Sequence, residues 1–117
     1  RSGIAALVDT DAPFAIWVHL ALLKLDRQRV EPLWLQQMLN SPFCHAQSQR
    51  LTRGIANRDL GLGRLVRICM FLPPLALQRE FSHRCAAISA MRSRQRASLV
   101  ELDALFAALQ HRALGDC

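Results

Sequence analysis

The chain has 117 residues, 51% of them hydrophobic, and carries a formal net charge of +6. That length suits a single small domain or part of a larger one, and the apolar fraction excludes wholesale disorder. The longest apolar stretch, residues 12–25, is broken by His19 and Lys24 and is shorter than the roughly 20 residues that span a bilayer.

In chain order, Arg1-Ser2-Gly3 comes first, without an initiator Met, so the chain reads as a piece of a longer reading frame. A short apolar run, residues 4–8, ends in Asp9-Thr10-Asp11-Ala12-Pro13, whose composition predicts a turn. Phe14, Ile16, Val18, Leu20 and Leu22 then alternate with Ala15, Trp17, His19, Ala21 and Leu23. Both sets are largely apolar. This predicts a strand covered on both faces, with a short helix as the competing reading.

Glu31-Pro32 opens a helix, because Pro at a first-turn position sacrifices no hydrogen bond. Leu35, Met38 and Leu39 give it an amphipathic face. Ser41 can cap a second helix with Pro42 at its first position, running to about Leu51. A polar, basic loop follows, Thr52-Arg53-Gly54-Ile55-Ala56-Asn57-Arg58-Asp59, and then Gly61 and Gly63. Residues 65–72 form a second strand candidate, with Val66, Ile68 and Met70 on one face.

Pro73-Pro74 ends that strand and precedes a helix. Residues 75–114 contain neither Pro nor Gly, enough for a helix of roughly 60 Å. A 4-3 seam runs through Phe81, Cys85, Ile88, Arg92, Gln95, Leu99, Leu102, Phe106, Leu109 and Ala113. It is apolar at both ends and polar at Arg92 and Gln95, a coiled-coil pattern with a defect that can fix register or partner. A bend at Arg92-Ser93-Arg94 is the alternative. A helix of this length cannot bury its stripe against so small a remainder, so a helix from a second chain or segment is expected to cover it.

The charge is unevenly placed. Residues 1–49 balance, residues 50–96 set ten Arg against Asp59 and Glu80 for a net +8, and residues 97–117 carry −2. There are 14 Arg and one Lys. A central basic block points to a polyanion, since clustered cations release condensed counterions from phosphates. Guanidinium adds bidentate contacts to phosphate or guanine. The competing explanation is a GC-rich genome that encodes Arg in place of Lys.

Arg50, Arg53, Asn57 and Arg58 are the best candidates for reaching base edges and phosphates. Arg1 and Ser2, in a possible second contact loop, join them as candidates. Trp17 and Trp34 sit among apolar neighbours and are expected in the core rather than stacked on bases. Arg92, Arg94 and Arg96 read as a solvated helix face. No paired carboxylates, nucleophile elbow, phosphate loop or His-rich site appears, so no catalysis and no cofactor are expected. Cys44, Cys69, Cys85 and Cys117 fit no zinc spacing and are read as buried or incidental thiols. Nothing resembles a signal peptide, and a cytoplasmic location is expected.

These residues carry a family likeness. The chain resembles the specificity subunit of type I restriction-modification systems, in particular the end of one target recognition domain plus the long helix after it. Arg1-Ser2-Gly3 resembles the family's serine-arginine-glycine turn. Val30-Glu31-Pro32-Leu33-Trp34-Leu35 through Leu39-Asn40-Ser41-Pro42 resembles its short helix ending in a Ser-Pro step. Gly54 and Asn57 are similar to its glycine-to-asparagine loop. Leu72-Pro73-Pro74-Leu75-Ala76-Leu77-Gln78 is similar to the "PLPPLxEQ" hinge, and Leu109-Gln110-His111-Arg112-Ala113-Leu114 to the closing helix motif. The chain departs at Leu77, where the family has Glu, at Phe71, which is not Pro, and at the apolar Ile55-Ala56.

The resemblance implies an α+β fold: a partial mixed-sheet recognition domain with short helices over residues 1–73, then one long coiled-coil-type helix over residues 74–117. It implies a non-catalytic role in which the domain reads half of a bipartite site in double-stranded DNA. The helix would dock methyltransferase (modification) subunits, with the restriction subunit joining, and would pair with a second specificity half or a second copy. The Phe81, Cys85, Ile88, Leu99, Leu102, Phe106 and Leu109 seam would supply that contact. A coiled-coil assembly protein with a non-functional recognition remnant is the competing expectation.

Overall fold

The computed structural model describes residues 2–54 and 58–115. Among the described residues there are four helices: α1 Pro32–Asn40, α2 Pro42–Leu51, α3 Leu62–Leu65 and α4 Leu75–Leu114. They fall into two compact units, Arg1–Ser82 and His83–Cys117. No helix among the described residues is long and apolar enough to cross a membrane.

The helix starts follow from the sequence chemistry. Pro32 occupies the first turn of α1, and Pro42 that of α2. The Ser41 hydroxyl accepts from the Cys44 amide as the cap of α2 and also donates to the Met38 carbonyl at 2.6 Å. One serine thus closes α1 and opens α2. α1 packs on α2 and α2 on α3. Leu35 and Met38 bury the predicted face of α1, and Cys44, Ser48 and Thr52 line the buried side of α2 and its C-cap.

The mixed sheet is absent. Among the described residues there is no strand, and the antiparallel contact between Arg53 and Asp59 is an isolated bridge. The expected strand over residues 14–25 is irregular, with a turn in which the Leu20 amide donates to the Trp17 carbonyl at 2.9 Å. Trp17 is 74% exposed, which overturns its expected place in the core. The alternation read from its side chains is real, but a strand also needs a neighbour to accept its backbone hydrogen bonds. Among the described residues no such neighbour lies alongside this segment.

The second strand candidate, residues 65–72, is overturned differently. Gly61, at φ 68°, turns the chain so that its carbonyl starts α3. Leu65 therefore ends a helix, and a turn through Val66 and Arg67 follows. The extended stretch beyond is held by a side chain instead of a strand: the Gln47 amide accepts from Cys69 N at 2.9 Å and donates to Cys69 O at 2.8 Å. Asn40 does the same for Ala5, with both bonds at 2.8 Å. Helix-borne amides thus satisfy backbone groups that a sheet would have paired.

A third amide joins the hinge to the rest of the first unit. Gln78, in the first turn of α4, is fully buried. Its Oε1 accepts from Glu31 N at 2.9 Å, and its Nε2 donates to Arg29 O at 3.1 Å and to Pro73 O at 2.7 Å. Trp34 meets Phe81 edge-on, ring centroids 5.1 Å apart. Trp34 is thus half-buried against Phe81, short of the full core position expected for it. Pro74 contributes the carbonyl that accepts from Leu77 N and Gln78 N, and α4 then runs its 40 residues.

Candidate nucleic-acid interface

The predicted contact loop grows from the C-terminus of α2. Thr52 caps that helix, its amide and hydroxyl both donating to Ser48 O at 2.9 and 2.7 Å. Beyond the cap the chain pairs with itself once: Arg53 N donates to Asp59 O at 3.0 Å, and Asp59 N to Arg53 O at 2.9 Å. The two bonds close a short stem, and Gly54, at φ 106°, turns the chain away from it. Arg53 and Arg58 are exposed on this stem, and Arg50 is exposed in the last turn of α2. A cation there also opposes the helix dipole favourably.

The N-terminal segment arrives at the same place. Ser2 Oγ lies 3.2 Å from Thr52 Oγ1, and Gln49 Nε2 donates to Ser2 O at 2.9 Å. Gly3 permits this approach. Its φ is +82°, and a Cβ there would overlap Ser48 Oγ and lie 2.6 Å from Ser48 Cβ. Two stretches of sequence 50 residues apart, each read separately as a contact loop, therefore meet beside the last turn of α2. Arg1 and Asn57, the remaining candidates, lie outside the described residues, as do Ile55, Ala56 and Cys117.

The sequence reading missed the residues that assemble this surface. Thr52 and Gln49 gather the N-terminal segment, and Arg64 braces the stem. Arg64 Nε donates to Leu60 O at 2.6 Å and one Nη donates to Asp59 O at 3.1 Å, with the Asp59 carboxylate 3.7 Å away. Nothing in residue type distinguishes Arg64 from its exposed neighbours. Gly61, three residues before it, which turns the chain back, is the nearest thing to a signal.

Elsewhere the thiols differ in setting. Cys44 is buried, Cys69 exposed and Cys85 half-buried, and all three are free. Burial raises the Cys44 thiol above its ordinary pKa, and the nearby Cys69 adds to this against an opposing hydrogen bond from Ser41. The Cys44 thiol donates to Cys69 O at 3.6 Å. No group of three or more His, Cys, Asp or Glu among the described residues is placed to hold a metal.

On the second unit, Arg92, Arg94 and Arg96 are exposed. Ile88, Leu99, Leu102, Phe106 and Leu109 of the predicted seam are 52–62% exposed. Phe81, by contrast, belongs to the first unit, half-buried against Trp34. The open part of the seam thus begins at Ile88.

Comparison with protein-family models, with curated proteins and with solved structures gives no match.

Proposed function

We propose that this chain is a sequence-reading module for double-stranded DNA, of the kind used by the specificity subunit of a type I restriction-modification complex. In this reading it has no chemistry of its own and directs partner methyltransferase and endonuclease subunits. The observation that carries it is the meeting of Ser2 with Thr52, which sets the N-terminal contact segment beside exposed Arg50, Arg53 and Arg58. Exposed arginines beside an anchored N-terminal segment supply phosphate anchors and groove-reaching donors.

The test is duplex binding by the full chain over a range of salt. Affinity should fall steeply with salt, and Arg53→Gln with Arg58→Gln should weaken binding and flatten that dependence. Binding that ignores both changes sinks the assignment of this loop.

A second reading has its own support. The exposed apolar residues from Ile88 to Leu109 favour a helix-pairing surface, and a protein that only assembles through α4 would use nothing else. In the leading reading the same stripe pairs with a second specificity half or a second copy and spaces the DNA-reading surfaces. Sedimentation and a DNA shift assay on one sample separate the two. Association without DNA affinity favours the assembly reading.

A further inference from the structure

Arg64 lies in the basic block of residues 50–96, the block that also holds the candidate contacts Arg50, Arg53 and Arg58. Its geometry points elsewhere. The guanidinium is turned onto its own chain, with Nε on Leu60 O at 2.6 Å and Nη2 on Asp59 O at 3.1 Å. The same Nη2 lies 3.7 Å from the Asp59 carboxylate. Asp59 O is also the acceptor for Arg53 N. One carbonyl therefore joins the backbone bridge of the loop to the side chain that braces it from outside.

The bracing is specific to arginine. Two consecutive carbonyls, those of Asp59 and Leu60, are held by the Nε and Nη2 donors of one planar group, and a lysine ammonium has no such fixed pair. Gly61 shapes the approach: at φ 68° it folds α3 back, and a Cβ there would come 3.0 Å from Arg64 Nη2. α3 in turn packs on α2, the helix from which the loop departs. Arg64 thus ties the returning arm of the loop to α3, which itself packs on α2.

We propose that Arg64 is the positioning residue of the recognition loop. It fixes the stem that carries Arg53 and Arg58 and makes no phosphate contact itself. This rests on the DNA-binding reading of that loop. A pre-set stem spares the ordering cost that a free loop would incur on binding, so its loss appears in affinity without changing how many phosphates are engaged.

The experiment compares Arg64→Lys, Arg64→Gln and Arg53→Gln in the full chain. One readout is amide hydrogen exchange at Arg53 and Asp59 without DNA. The other is duplex affinity as a function of salt. Far-ultraviolet circular dichroism confirms that each variant is folded, and Asp59→Asn, which keeps the backbone bridge, serves as a milder second variant.

Arg64→Lys and Arg64→Gln should both speed exchange at Asp59 about tenfold and weaken DNA binding about five- to tenfold at an unchanged salt slope. Asp59→Asn should do so to a smaller degree. Arg53→Gln should flatten the slope and leave exchange alone. If Arg64→Lys matches the parent in both readouts, or if Arg64→Gln flattens the slope and Arg64→Lys restores it, Arg64 is not a positioning residue. A parent chain without DNA affinity overturns the reading of the loop and this role with it. Unchanged exchange in a chain that does bind DNA overturns the role of Arg64 alone.

Discussion

Gln78 and Glu31 are 47 residues apart in sequence, yet the Gln78 side-chain oxygen accepts the Glu31 backbone N–H at 2.9 Å. The same amide donates to Arg29 O and Pro73 O, so its oxygen and its nitrogen are both engaged in a fully buried position. The start of α4 is thereby fixed to the chain that enters α1. Gln78→Leu keeps the bulk and leaves three backbone groups without their partner. It should cost about 3 kcal/mol, since each orphaned buried group costs about 1–3 kcal/mol and neighbouring losses do not add fully. Urea unfolding followed by circular dichroism measures it. A change below about 0.5 kcal/mol would show that water replaces these bonds freely.

Gly3 should resist any side chain. Gly3→Ala imposes left-handed strain of about 1–2 kcal/mol and drives a methyl into Ser48. The N-terminal segment should leave α2, breaking the Ser2 contacts with Thr52 and Gln49. The expected result is a modest loss of stability with a larger loss of DNA affinity. Equal affinity in parent and variant would mean that Ser2 plays no part at the interface.

The two neighbouring thiols should react unequally. Cys69 is exposed and Cys44 buried, with the Cys44 thiol shifted upward by burial. Iodoacetamide under native conditions should label Cys69 and spare Cys44 until unfolding. The upward shift also has a sign for stability. The folded state holds the Cys44 proton more tightly, so stability from this group is intact below the ordinary thiol range, about 8.5, and declines as pH rises through it. Labelling of Cys44 at the Cys69 rate contradicts the packing of α2 against the stretch after α3.

The seam of α4 should govern association. Leu102→Asp places a charge within the open apolar stripe and should weaken self-association tenfold or more. Arg92→Leu removes a polar seam position and should strengthen it, with less control of register. Sedimentation equilibrium decides both. If neither change alters the association constant, the stripe does not carry the contact.

The helices were legible because their signals are local. Pro32, Ser41 with Pro42, and the Pro- and Gly-free residues 75–114 act through neighbouring backbone, and α1, α2 and α4 stand where these residues set them. The strands were not legible, because pairing is non-local. Residues 14–25 carry a strand-like alternation without a partner strand among the described residues, and at Cys69 the partner is the side chain of Gln47. The exposed Leu77 lies next to the buried Gln78, so the departure from the hinge pattern falls on a solvent-facing position and leaves the buried amide intact. At the site, exposed Arg53 and Arg58 could be found by type. The convergence of Ser2 on Thr52 could not, since no periodicity links residues 50 apart.

The most direct test of the account is photo-crosslinking to duplex DNA from two positions, with a crosslinking side chain placed at Ser2 in one preparation and at Arg58 in another. Both positions should capture the same duplex within a few base pairs of each other, at salt low enough to preserve binding. Capture only from positions 92–96 of α4, with none from Ser2 or Arg58, would contradict it.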